Sequence, residues 1–177
     1  MSIWHDISQD RIQADDFCAV IEIPKGCKTK YELDKETGLL YMDRVLYTSA
    51  HYPANYGFIP RTYAADKDPL DVLVLCSEDI QPLSLVRCYP IGVITMVDSG
   101  TKDEKIIAIP FHDPTYNVFK DIRELPKHVF EEMSHFFSFY KELEGKATAV
   151  ENTQNSEEAK QIIQESINRY LKEFSHI

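Results

Sequence analysis

The chain has 177 residues, 44% hydrophobic and 11% aromatic, enough to bury a core without disulfide or metal staples. Acidic side chains outnumber basic ones 29 to 19, and the formal net charge of −10 repels nucleic acid and anionic membranes while suiting a protein that collects cations. No apolar stretch reaches membrane-span length, and Met1-Ser2-Ile3-Trp4-His5-Asp6 lacks the basic head and apolar core of a signal peptide. A soluble, cytoplasmic protein folded as one domain over 1–177 is therefore expected.

Residues 1–16 are polar and read as a surface lead-in. Phe17-Cys18-Ala19-Val20-Ile21-Glu22-Ile23-Pro24 is a predicted strand, apolar except for Glu22. Taken locally, Glu22 is a charge at a sheet edge facing water. A turn at Pro24-Lys25-Gly26 leads to Lys30-Tyr31-Glu32-Leu33, whose alternation puts Lys30 and Glu32 on one face. Residues 34–38 form a hairpin loop, and 39–45 return as the partner strand. Lys30, Glu32 and Arg44 can thus meet on one hairpin, either as a solvated ion pair or as part of a site. Residues 51–60 form a structured loop in which Tyr56, beside Gly57, either caps a core or points its hydroxyl into a site.

The run Asp66-Lys67-Asp68-Pro69-Leu70-Asp71 crowds three carboxylates in front of Val72-Leu73-Val74-Leu75-Cys76, a predicted buried strand. Pro69 keeps the run out of a helix, and a hard divalent cation relieves carboxylate repulsion at such spacing. A solvated acidic turn is the plainer alternative. An EF-hand loop is excluded, because its sixth and twelfth positions hold Asp71 and Ser77. Residues 84–97 read as one long strand or two bent ones, with Pro90 and Gly92 at the corner. Residues 98–105 read as a polar loop bringing Asp98, Asp103 and Lys105 before a strand at 106–110. The four cysteines, Cys18, Cys27, Cys76 and Cys88, have no paired spacing and are read as reduced and non-ligating.

The rest is helical. Pro126 suits a first turn, and Val129, Met133, Phe136, Phe137, Tyr140 and Leu143 form an apolar stripe that Gly145 ends. Residues 151–155 resemble a linker. Ser156 is the expected cap of a second helix with the stripe Ala159, Ile162, Ile163, Ile167, Tyr170, Leu171 and Phe174. Strands first and helices last give an α+β fold, an antiparallel barrel with two main helices packed outside.

Along nearly its whole length the chain resembles the soluble family I inorganic pyrophosphatases of bacterial type. The resemblance rests on Ile21-Glu22-Ile23-Pro24, Lys30-Tyr31-Glu32, Asp43-Arg44, Tyr52-Pro53-Ala54-Asn55-Tyr56-Gly57, the run from Asp66 to Val74, Asp98 with Asp103 and Lys105, and His135-Phe136-Phe137 with Tyr140-Lys141, in that order. It implies a five-stranded antiparallel barrel of the oligonucleotide-binding type, several Mg2+ ions in a cup at its mouth, hydrolysis of pyrophosphate to two phosphates, and a homohexamer.

Position by position, it implies that Asp66, Asp71 and Asp103 hold the tightest metal, with Asp71 bridging to a second ion. Asp98 and Asp103 would hold a further one, Glu32 would support a metal mostly through water, and Glu22 would sit near the same cup. Asp68 would be the general base. Lys30, Arg44, Tyr56, Lys105, Tyr140 and Lys141 would contact substrate phosphate. Lys67 stands where this family usually carries Gly, Ser, Asp or Asn, and its charge is expected to matter more than its backbone. A single-strand nucleic-acid module is disfavoured by the acidic charge. A non-enzymatic divalent-cation-binding barrel would leave the matched cations and tyrosines unexplained.

Overall fold

A computed structural model describes residues 2–177. Its sheet begins with the short β1 (Ile12–Gln13) and β2 (Asp16–Ile23). A separate hairpin follows, β3 (Thr29–Leu33) with β4 (Leu40–Val45). The chain continues through β5 (Asn55–Ile59), β6 (Leu70–Val74), β7 (Leu85–Asp98) and β8 (Thr101–Pro110). Helix α1 (Lys127–Phe139), strand β9 (Thr148–Asn155) and helix α2 (Ser156–Glu173) complete it.

Five strands pair in a ring: β2 with β5, β5 with β6, β6 with β8, β8 with β7, and β7 back to β2. This is the expected OB-like barrel, with one correction to its all-antiparallel description. The β6 and β8 strands run parallel, because β7 turns back between them in sequence and leaves β8 pointing the same way as β6. The fourteen-residue β7 can serve three neighbours because it bends: Leu85–Cys88 lie along β2, whereas residues 92–98 lie along β9. Its register shifts between Pro90 and Gly92, the corner read from sequence. A side chain at Gly92 would sit 2.8 Å from the Gln154 carbonyl, so only glycine lets β9 close on this bend.

Alternation along β6 and β8 splits the core into two layers. Val72, Val74, Ile106 and Ala108 pack with Ala159, Ile163 and Ile167 of α2. Leu73, Ile107 and Ile109 pack with Met133, Phe136 and Phe137 of α1. The period of two in the strands and of 3.6 in the helices thus meet at both faces. Asn55, fully buried, ties β5 to its surroundings: its side chain accepts from Lys25 N at 3.0 Å and Ile80 N at 2.8 Å, and donates to the Val74 and Glu78 carbonyls. All four cysteines are free.

Several sequence expectations are corrected. The N-terminal lead-in is anchored: Trp4 is buried against His5, Tyr63 and Phe174, its Nε1 donates to the Thr62 carbonyl at 3.0 Å, and Ile12 enters the core. Residues 151–155 belong to β9, whose polar side chains reflect an exposed strand at the end of the sheet. Asn155, not Ser156, caps α2. Its side chain accepts from Glu157 N and Glu158 N, while Glu158 accepts from Asn155 N, completing a capping box. Helix α1 stops at Phe139 and passes into a short 3-10 turn (Glu142–Glu144) closed by left-handed Gly145, which leaves Leu143 exposed. Leu171 is likewise exposed. Residues 98–105 are not a loop: Ser99 and Gly100, both at positive φ, make a tight turn, and Asp103 and Lys105 lie on β8.

Lys67 sits where its backbone, as well as its charge, can carry a cost. It has φ +70°, in a turn closed by Ala64 N to the Asp68 carbonyl at 2.8 Å. A non-glycine residue there carries a backbone cost of about 1 kcal/mol, and glycine and asparagine escape most of it. Lys67→Gly is therefore expected to raise unfolding stability by about 0.5–1 kcal/mol, while Lys67→Ala, which removes the charge alone, leaves it unchanged. Denaturant unfolding separates the two, and equal gains from both would return the effect to charge.

Candidate active site

The parallel register of β6 and β8 sets Asp71 directly opposite Lys105. Asp103 and Lys105, two apart on β8, share one face of that strand. The result is a buried cluster at the barrel mouth. The Lys105 ammonium, only 2% exposed, donates to Asp71 at 2.9 Å, to Asp103 at 3.0 Å and to the Tyr56 hydroxyl at 3.0 Å. It also lies 5.1 Å from the Tyr56 ring centre and 5.2 Å from that of Phe137. Burial alone would lower the Lys105 pKa, but Asp71, Tyr56 and Asp103 together hold it well above its ordinary value. Burial pushes the Asp71 carboxyl up, with Asp103 adding to the effect and Lys105 opposing it.

Around this cluster opens a cup of about 310 Å³. The turn at 66–71 supplies Asp66 and Asp68 to one wall, and Asp68 N donates to the Asp66 carboxylate at 3.1 Å. Burial raises the Asp66 pKa. Glu22, read locally as a charge facing water, is instead buried at the end of β2. There its carboxylate accepts from Leu33 N at 2.7 Å, and burial first, then Asp71 and Glu32, push it up to about 8. The correction has a simple cause: the β3–β4 hairpin covers that end of β2, which single-strand alternation cannot reveal.

From the opposite wall come Asp98, at the end of β7, and Tyr140 and Lys141, just past α1. Burial would raise Asp98, but the hydrogen bond from Lys141 outweighs it and holds the carboxyl below its usual range. Burial raises Tyr56 and Tyr140, so both stay as hydroxyl donors at neutral pH. On the hairpin, Lys30 pairs with Glu32 and lies 3.5 Å from Asp43.

Twelve of the thirteen residues singled out from sequence line this cup: Glu22, Lys30, Glu32, Tyr56, Asp66, Asp68, Asp71, Asp98, Asp103, Lys105, Tyr140 and Lys141. Arg44 does not. It sits one strand over, with Asp43 on one side and Glu144 on the other. The structure also adds Trp4 and Lys35 to the lining. Lys35 pairs with Asp68, and its ammonium lies 4.9 Å from the Trp4 ring centre. Nothing in the hairpin-loop sequence signals that it folds onto the acidic turn.

The donors are carboxylate oxygens, and burial opposes the charge of Asp71 and Asp66, so the set fits a hard divalent cation such as Mg2+. Among the described residues no three potential ligands already converge on one point, because the Lys105 ammonium stands between Asp71 and Asp103.

Comparisons with known proteins agree on one family. The sequence pattern of the family described as Inorganic pyrophosphatase matches residues 19–171. A curated relative, "Soluble inorganic pyrophosphatase 2" of Chlamydomonas reinhardtii, is 46% identical over 97% of this chain and 89% of its own length. The solved inorganic pyrophosphatase of Helicobacter pylori is 46% identical with a TM-score of 0.87, covering 90% of this chain and 95% of that one. That of Thermus thermophilus is 36% identical with a TM-score of 0.86, covering 88% and 91%. The chain belongs to the inorganic pyrophosphatase family.

Proposed function

We propose that the cup hydrolyses inorganic pyrophosphate to two orthophosphates, with magnesium as cofactor and Asp68 as general base. The observation that carries this is the composition of the cup, where seven carboxyl side chains face four lysines across one open cleft. Acidic residues alone would suit a cation store. The added lysines and tyrosine hydroxyls suit an anion that arrives together with cations.

Asp66, Asp71 and Asp103 would hold one magnesium ion, with Asp71 shared to a second. Asp98 and Asp103 would hold another, and Glu32 and Glu22 would support the set. Bound there, such ions neutralise the diphosphate charge and acidify a nearby water. Asp68 lies at the exposed lip, its side chain 59% accessible, where a carboxylate can take a proton from attacking water. Lys30, Lys105 and Lys141 donate to phosphate oxygens, exchanging their present partners Glu32, Asp71 with Asp103, and Asp98 for phosphate. Tyr56 and Tyr140 add neutral donors, and Arg44 supplies a further cation as charge develops on the leaving phosphate.

Phosphate release from pyrophosphate, measured with and without magnesium, tests the assignment. Asp68→Asn is expected to keep the fold and the binding of magnesium and pyrophosphate while turnover falls by about two to four orders of magnitude. A fall of less than fivefold would remove Asp68 from the role of base.

We further propose a cytoplasmic homohexamer, the assembly implied by resemblance to the bacterial members. Among the described residues no helix is long and apolar enough to cross a membrane. Leu39, Tyr41, Met42, Val45 and Tyr47 expose a run of apolar surface on and beside the hairpin that subunit contacts would cover. Sedimentation equilibrium should give six times the chain mass of 20.5 kDa, and a monomer at micromolar concentration would contradict it.

A further inference from the structure

Arg44 is the one residue implicated in phosphate contact that lies outside the cup, and the reason is visible in its partners. It faces Lys30 across the hairpin, and Lys30 lines the cup. Its Nη1 meets Asp43, and its Nε lies 2.7 Å from Glu144 Oε1. The Glu144 side chain is only 7% exposed and that of Arg44 20%. Despite the short distance, the pair is poorly aligned. Arg44 Nε, Arg44 Nη2 and Glu144 Oε2 are all buried without a hydrogen-bond partner.

Three unmatched polar atoms in one buried pair are unusual, because each carries a desolvation cost that good geometry would offset. A buried ion pair is near break-even even when well made, so a misaligned one holds its arginine weakly. The unspent donors, Nε and Nη2, are the edge with which a guanidinium grips an oxyanion in bidentate fashion. Glu144 is also fixed relative to the cup. It ends the 3-10 turn that starts directly after Tyr140 and Lys141, and Gly145 closes that turn with its N–H donating to the Glu142 carbonyl at 3.0 Å.

We propose that Glu144 is a positioning residue that withholds Arg44 from the cup, releasing it when a phosphate group offers both oxygens to the Nε–Nη2 edge. The inference rests on the reading of Arg44 as a phosphate contact. Glu144 therefore opposes binding of substrate and of product phosphate alike, which weakens product retention after the bond is broken.

The test is calorimetric titration of methylenediphosphonate, a non-hydrolysable diphosphate, into magnesium-loaded parent, Glu144→Gln, Arg44→Ala and the double variant. Thermal unfolding of each is followed in parallel. Glu144→Gln is expected to bind about three- to tenfold tighter, Arg44→Ala more weakly than parent, and the double variant like Arg44→Ala. Glu144→Leu, which removes the buried carboxylate without leaving an amide to satisfy, should tighten binding equally, so the outcome does not depend on tolerance of glutamine. In turnover, KM should fall without a rise in kcat, whereas a structural lesion would raise KM. Unchanged or weaker binding by Glu144→Gln and Glu144→Leu, with Arg44→Ala impaired, would overturn the role of Glu144 and leave that of Arg44 standing. Unimpaired binding by Arg44→Ala would overturn both.

Discussion

The buried ammonium of Lys105 is the contact on which this site depends. Asp71 and Asp103 are brought to one place by strand register and by spacing along β8, and both carry negative charge into a partly desolvated mouth. Uncompensated, two such carboxylates would repel each other and one would take up a proton. Lys105 stands between them and also engages the Tyr56 hydroxyl. The parallel pairing of β6 with β8 is what makes this possible, because it sets Asp71 and Lys105 side by side on neighbouring strands. The barrel is thus more than a scaffold: its one parallel seam is the axis of the site.

The same logic repeats outward. Lys141 holds Asp98, Lys30 holds Glu32, and Lys35 holds Asp68 while lying on the face of Trp4. Five of the seven carboxyl groups in the cup are thus paired with a lysine, whereas Asp66 and Glu22 accept from backbone N–H groups. In the proposed function, cations and anion arriving together would exchange these partners instead of leaving charges bare. The exposed Lys35–Asp68 pair contributes little to stability, which leaves it free to exchange. Lys105 is the opposite case, since its burial makes its removal costly.

Much of this was legible in the chain. The acidic run, the apolar strand behind it and the bend at Pro90 and Gly92 are local signals, and all were recovered where the sequence put them. What escaped was set by tertiary neighbours. Glu22 reads as an edge charge because alternation along a single strand does not show that the hairpin following it folds back over its end. Asp103 and Lys105 read as a loop because Lys102, Asp103, Glu104 and Lys105 are polar, yet a long two-stranded ladder carries them. Trp4 and Lys35 gave no sign of facing the site, since each gets there through loop packing. Residues 151–155 of β9 read as a linker because their side chains are mostly polar, as befits a strand at the end of a sheet. Arg44 was legible as a residue of interest but not in its place, because its partner Glu144 lies a hundred residues away in sequence.

The central claim is that a cation between Asp71 and Asp103 holds the mouth of the barrel together, and unfolding of Lys105→Met tests it most directly. Methionine keeps the apolar length of the side chain and removes the ammonium with its charge and its three hydrogen bonds. Without magnesium the variant should be less stable than the parent by about 3–5 kcal/mol, the usual cost of leaving buried charges unpaired. Saturating magnesium should restore more stability to the variant than it adds to the parent, through its preference for the folded carboxylates. A variant as stable as the parent without magnesium, and no more responsive to the ion, would contradict the account.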